Sequence, residues 1–145
     1  MSQLEQNPGI IMTLPLTEAQ REIWYGAQMS DAVSCSFNQS AWLRLRGAFD
    51  LDRLTRSWQR LVDRHEALRA TFEPNGDEQR IHPTMMVEIP FVDLSRLGTE
   101  EREQGLEHLL QEEVSAPFDL VEGPLYRLGV AKLAENEHAF RNHNC

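Results

Sequence analysis

Histidines and a small number of arginines are the residues of this 145-residue sequence whose spacing could support chemistry. Segment 65–69 begins like the zinc-binding pattern HExxH, but the second ligand position holds Arg69, which does not bind metals. His138, His143 and Cys145 lie close together in sequence, yet their spacing offers no fourth ligand. We therefore predict no metal site and no metal cofactor.

Other catalytic motifs are missing from the sequence. It contains no GxGxxG, no phosphate-binding loop ending in GK followed by Ser or Thr, no CxxC pair and no GxSxG elbow. Cys35 and Cys145 are too few and too far apart for a disulfide framework, so both are predicted to be free thiols. His65 falls on the apolar side of a predicted helix, which favours a buried structural histidine over a catalytic base.

Composition limits the class of protein and of partner. Hydrophobic residues make up 41% and charged residues 26% of the chain, the balance of one soluble globular domain. The formal net charge of −9 argues against nucleic acid or an anionic membrane as a partner. Because no stretch reaches the roughly 18 apolar residues of a membrane span, and no signal peptide is evident, we predict a cytoplasmic location.

Hydrophobic periodicity predicts a mixed α/β domain behind a flexible leader at residues 1–13. A capping box at Thr17 and Gln20 opens the first helix, and Asp50 caps the second. The strand that starts at Glu137 is predicted to stop after Phe140, where apolar alternation ends. The remaining segments are predicted to be helices over 17–28, 50–65 and 99–115, strands over 41–46, 68–73, 78–82 and 124–133, and an extended stretch over 83–90.

Arginines form a stripe along the predicted helix 50–65. Arg53, Arg56 and Arg60 gather in an arc separate from the apolar residues, which is typical of a solvated helix face. Arg64 and Arg69 flank the junction between helix and strand, where a long side chain can reach inward to a carboxylate. On the strand before this helix, Trp42 falls on the polar side, which predicts that its outer face is partly covered.

Two segments resemble a known family. Residues 14–24 (LPLTEAQREIW) and 64–72 (RHEALRATF) are similar to the core motifs SxAQxRxW and RHExLRTxF of condensation domains of nonribosomal peptide synthetases. Thr17 replaces the usual Ser, and Ala70 replaces the usual Thr. Residues 43–50 and 116–127 resemble the LRGxLD and PFDLxxGPLxR segments of the same family.

The resemblance implies an α/β fold, a two-layer α+β lobe like chloramphenicol acetyltransferase, with a mixed sheet packed against helices. Residues 14–145 would form the N-terminal lobe, incomplete at its C-terminal end and lacking the second lobe as its partner. The implied parent activity is amide formation between acyl or peptidyl and aminoacyl thioesters. Both thioesters are attached to phosphopantetheine arms of carrier proteins, so the resemblance implies that the lobe itself binds no cofactor directly.

The family motif HHxxxDG would follow the strand that begins at Glu137, and it does not occur in this sequence. We therefore assign no catalytic residue, and we expect the chain alone to be inactive. By resemblance, four residues would support the active site structurally, with Arg64 forming a buried ion pair to the aspartate of HHxxxDG. These four are Gln20, Arg21, Arg64 and Arg69.

Two alternatives to a partial enzyme remain. The first is a non-catalytic lobe that binds an acidic carrier protein or another partner through Arg53, Arg56 and Arg60. The second is a translated gene fragment without function.

Overall fold

A computed structural model describes residues 12–145. Most of the leader predicted at residues 1–13 therefore lies outside the described residues, while residues 12 and 13 belong to a strand and not to a leader. The elements are β1 (Met12–Pro15), α1 (Glu18–Met29), α2 (Asp31–Ser36), β2 (Gln39–Arg46), α3 (Leu51–Arg64), a 3-10 turn (Glu66–Arg69), β3 (Ala70–Phe72), β4 (Glu78–Ile81), β5 (Phe91–Asp93), α4 (Thr99–Val114), β6 (Tyr126–Ala134) and β7 (Glu137–Asn144).

The strands form two sheets. The smaller sheet has the order β1-β4-β3 and is antiparallel, and β1 joins it by pairing Met12 with Ile81. The larger sheet has the order β2-β7-β6-β5, in which β5 runs parallel to β6 and the other pairs are antiparallel. The predicted α/β class with a mixed sheet is confirmed. The structure also contains three features that the sequence did not predict: the separate small sheet, helix α2 and strand β5.

Local capping signals place the helices as predicted. The Thr17 hydroxyl accepts from the Gln20 backbone N–H at 3.2 Å, and the Gln20 side chain accepts from the Thr17 N–H at 2.9 Å. Asp50 opens α3 by accepting from the Arg53 N–H at 2.9 Å. None of the helices described over residues 12–145 is long and apolar enough to span a bilayer.

Helices cover both faces of the larger sheet. On one face, Trp58 and Val62 of α3 pack against a cluster that includes Leu128 and Phe140. On the other face, α4 packs against Ala131, Leu133 and Ala139. These two layers bury most of the apolar surface of β6 and β7 and hold the end of β7 in place.

Strand β2 departs from the prediction at one position, Leu43, while Leu45 packs against the cluster under α3 as the alternation predicts. Trp42 packs on the cluster under α4, so the predicted cover over this residue is confirmed. Leu43, which the alternation pattern assigned to the core, is 55% exposed because β2 lies at the edge of its sheet.

The prediction that β7 ends after Phe140 is wrong. The strand continues to Asn144 and pairs with β2 on one side and β6 on the other. Partners on both sides satisfy its backbone, so the strand does not need apolar alternation to persist. Two of its polar side chains find partners: Arg141 pairs with Glu113 at 2.6 Å, and His143 bonds to the Ser40 hydroxyl.

Candidate functional site: the cavity beside the end of strand β7

A cavity of about 430 Å³ lies between the larger sheet, the smaller sheet, α1 and α3. Its apolar wall includes Trp58, Leu68 and Phe72, and the C-terminal end of β7 reaches it at Asn144 and Cys145. A mostly apolar concavity of this volume with a few polar groups is the usual form of a small-molecule site. We therefore take it as the candidate functional site.

The two segments that carry the family resemblance meet at this cavity. Gln20 and Ile23 from segment 14–24 line one side, and segment 64–72 lines another through residues that include Leu68 and Thr71. The segments lie about forty residues apart in sequence, and strand pairing within the smaller sheet brings them together. Their proximity is a property of the fold that no local pattern shows.

Gln20 connects α1 to the smaller sheet. Its amide exchanges hydrogen bonds with that of Gln79 on β4, at 3.3 Å in each direction. The same side chain also completes the capping box of α1. Arg21, the next residue, is exposed and does not line the cavity. The structure thus brings Gln20 to the site but not Arg21, and the supporting role of both residues stays a prediction.

Arg69 is buried behind the cavity, with 6% of its surface exposed. Its guanidinium donates to the Val62 carbonyl at 3.0 Å, to the Pro83 carbonyl at 3.3 Å and to the Asp63 carbonyl at 3.5 Å. It also donates to the carbonyl of His82. The expected inward carboxylate is not its partner: backbone oxygens, two of them at the negative end of α3, satisfy the charge.

Arg64 and His65 lie at the C-terminal end of α3 and are both exposed. The prediction of a buried His65 is wrong, because the helix ends at Arg64 and the following 3-10 turn leads the chain away from the apolar stripe. Arg64 makes no ion pair with any carboxylate of residues 12–145, so its buried pairing stays an expectation of the family resemblance.

The arginine face of α3 is open to solvent. Arg53, Arg56 and Arg60 are all exposed, and Arg53 contacts its own helix cap, Asp50, at 3.3 Å. Within the described residues, Arg56 and Arg60 have no ion-pair partner. The prediction of a solvated helix face is confirmed for these three residues, and none of them lines the cavity.

Both histidines of β7 are buried against aromatic rings. His138 stacks on Phe49 with ring centroids 4.3 Å apart, and His143 stacks on Phe118 at 5.3 Å. Burial lowers the pKa of each imidazole, and nearby cations lower it further: Lys132 for His138, and Arg127 and Arg141 for His143. The two side chains are therefore neutral structural groups at neutral pH.

These neutral histidines make stability depend on pH. Their folded pKa values, like that of His82, lie below the ordinary 6.5, so the unfolded chain binds more protons as pH falls through that value. We expect the free energy of unfolding, measured by urea titration, to be lower at pH 5.5 than at pH 7.5. The variant H65Q/H108Q, which changes two exposed histidines, should keep this dependence. Equal stability at the two pH values would contradict the expectation.

Cysteines and metals add no reactive group to the site. Cys35 and Cys145 are free thiols, as predicted, and burial raises the pKa of the Cys145 thiol, which keeps it protonated. Across residues 12–145, no cluster of three or more His, Cys, Asp or Glu residues could hold a metal ion. The Cys145 thiol, which lines the cavity, is therefore not an activated nucleophile.

The prediction from sequence did not assign several residues that line the cavity. Among them are Trp58, Tyr126, Asn142 and Asn144. Tyr126 lies in the segment that resembles PFDLxxGPLxR, which was a usable signal. No sequence signal pointed to the two asparagines, because their position depends on the continuation of β7 beyond Phe140.

Comparison with known proteins agrees with this fold. The family model for the condensation domain matches residues 10–143. A linear gramicidin synthase protein of Brevibacillus parabrevis is 35% identical over 129 residues, which are 88% of this chain and 2% of that protein. Surfactin synthase subunit 1 of Bacillus subtilis (strain 168) is 36% identical over 128 residues, 87% of this chain and 3% of that protein.

Solved structures show the same architecture. The starter condensation domain of rhizomide synthetase RzmA matches with a TM-score of 0.81 at 22% identity, over 92% of this chain and 33% of that one. The cyclization-docking bidomain of EpoB from Sorangium cellulosum matches with a TM-score of 0.79 at 25% identity, over 92% of this chain and 27% of that one. The chain thus spans about a third of the solved structures it matches and a few per cent of the curated relatives, and it belongs to the condensation domain family of nonribosomal peptide synthetases.

Proposed function

We propose that this chain is the N-terminal lobe of a condensation domain and forms one wall of a binding site for carrier-bound thioesters. The parent reaction joins an acyl or peptidyl thioester to the amine of an aminoacyl thioester, and both are delivered on phosphopantetheine arms. The observation that carries the proposal is the cavity where the two motif segments meet beside the end of β7. A second lobe would complete the site.

The 145 residues are not expected to catalyse amide formation by themselves. HHxxxDG is absent from them, so no group is present to orient the amine or to stabilise the tetrahedral oxyanion. The test incubates the chain with an acyl-loaded and an aminoacyl-loaded carrier protein and measures amide product by mass spectrometry. We expect no product above the rate without the chain, and multiple turnovers would overturn this part of the proposal.

Ligand binding tests the role of the cavity directly. Trp58 lines it, so a thioester that enters should change tryptophan fluorescence in a saturable way. The probe is S-octanoyl-N-acetylcysteamine, and the variant W58F, which removes the reporter, is the control. No saturable change in the wild-type chain would count against a thioester site.

A non-catalytic binding lobe is the second candidate, and the open arginine face of α3 favours it. Arg53, Arg56 and Arg60 are exposed on one helix of a chain whose net charge is −9, so an acidic carrier protein would dock here in preference to other surfaces.

Neutralising these arginines should weaken carrier-protein binding. We expect R53Q/R56Q/R60Q to raise the dissociation constant about tenfold at low salt, because three charge contacts of roughly 0.5 kcal/mol each are lost. The control R21Q/R46Q/R96Q changes net charge equally at exposed positions elsewhere. Calorimetric titration measures both, and equal effects would show that net charge acts instead of this face.

A further inference from the structure

The outer edge of strand β2 has no partner strand within residues 12–145. The strand runs from Gln39 to Arg46, pairs with β7 on its inner side and is the terminal strand of the larger sheet. No backbone hydrogen bond from the described loops and turns reaches its outer side. Because alternate N–H and C=O groups of such a strand point outward, this edge can accept a further strand.

The middle of this edge is apolar on both faces of the sheet. Leu43 is 55% exposed on the side of α3, and its neighbour Trp42 lies on the side of α4. A groove of about 400 Å³ opens between β2 and α4 beside these residues, and Leu106 and Leu110 belong to its helical wall. An exposed apolar strand with an adjoining groove is typical of a surface that another chain covers.

Charges at this edge make it complementary to a copy of itself. Arg44 contacts Glu103 at 3.4 Å and Glu137 at 3.7 Å. Arg46 also contacts Glu137, at 3.6 Å, so neither arginine of β2 is an uncompensated charge that would repel a partner. Glu107, one turn after Glu103 on the wall of the groove, forms no ion pair within the described residues. The surface thus offers arginines on the strand and an open carboxylate on the helix.

We propose that a second copy of this chain pairs with the outer edge of β2 in antiparallel orientation, so that two four-stranded sheets form one continuous sheet. A two-fold axis at Leu43 places this residue opposite its own counterpart and Trp42 opposite Arg44 of the second copy. On one face the two leucines are removed from water. On the other face the guanidinium lies over the indole, beside Glu107 in the groove.

This inference is independent of the proposed thioester site, because the groove and the cavity beside the end of β7 share no lining residue. Binding of a thioester and pairing of two copies are therefore separate properties that separate measurements test.

Sedimentation velocity over a range of protein concentrations tests the pairing. We expect the average mass to rise from 16.7 kDa toward twice that value as concentration increases. L43K places two ammonium groups against each other at the axis and should raise the dimer dissociation constant about tenfold or more. The control L97K adds the same charge at another exposed leucine and should leave the dissociation constant unchanged. A chain that stays monomeric, or equal effects of L43K and L97K, would overturn the inference.

The open carboxylate gives a second test that leaves the strand unaltered. E107K reverses the charge that receives Arg44 of the second copy, and we expect it to raise the dissociation constant about tenfold at low salt. E22K makes the same change at an exposed position of α1, away from the groove. Both variants lower the net negative charge equally, so an effect of E107K that E22K matches would contradict the proposed register.

Cross-linking checks the position of the axis even where association is weak. Residues opposite each other in an antiparallel pair bring their Cβ atoms to about 5 Å, which a short bismaleimide spans. We expect L43C to give a cross-linked dimer much faster than L97C or the wild-type chain, whose Cys35 and Cys145 lie outside the edge. Cross-linking of L43C at the rate of L97C would show that Leu43 does not lie at the axis.

Discussion

Replacing Arg69 with leucine should lower the free energy of unfolding by about 3–5 kcal/mol. The guanidinium is buried and joins the end of α3 to the segment after β4 through four backbone carbonyls. Leucine fills much of the space but donates no hydrogen bond, so these oxygens lose their partner in a buried to part-buried site. Urea denaturation monitored by circular dichroism measures the loss.

Two variants separate this role from a general effect of removing charge. R64L removes an exposed arginine five residues earlier and should change stability by no more than about 0.5 kcal/mol. R69K keeps the positive charge but replaces the planar fork with a single ammonium, so its stability should fall between wild type and R69L. If R64L costs as much as R69L, the buried carbonyl contacts are not the cause.

Gly76→Ala should destabilise the chain by about 2–4 kcal/mol. Gly76 has φ +72°, which disfavours any side chain, and a Cβ built there would overlap the indole ring of Trp24. Trp24 is buried in the cluster that includes Phe72 and Phe118, so it cannot move aside without opening the packing of α1. A lower urea midpoint should be accompanied by a red shift of tryptophan emission.

Gly47 provides the matched control for backbone strain. It also has a positive φ, +114°, but a Cβ there would meet no heavy atom within 4 Å. Gly47→Ala therefore carries the conformational cost alone, about 1–2 kcal/mol. The difference between the two variants measures the steric contact with Trp24, and equal losses would show that this contact does not matter.

Several features could be predicted from short sequence windows because near neighbours decide them. The capping box at Thr17 and Gln20 and the cap at Asp50 depend on hydrogen bonds across three residues. The hairpin of β3 and β4 follows from the turn residues between two short strands. The arginine face of α3 follows from a period of 3.6 residues, and the structure leaves it exposed.

Errors in prediction occur where a distant segment decides the outcome. The local alternation of apolar residues predicts that the last strand ends at Phe140. In the structure, β2 and β6 pair with this strand as far as Asn144. The same alternation predicts that Leu43 is buried. Leu43 is exposed because β2 lies at the edge of its sheet. A strand satisfies its backbone through neighbours that are remote in sequence, so its length and its buried face are properties of the sheet.

The sequence by itself determined the family, through two motif segments, and the type of most elements, through periodicity and caps. Only the tertiary structure decided that those segments share a cavity, that backbone carbonyls satisfy Arg69, and that Asn142 and Asn144 face the same space. The physical reason is the sequence separation of the residues that interact. Caps and amphipathic faces depend on residues within a turn or two of a helix. Cavities and strand partners depend on contacts between residues that the chain separates by tens of positions.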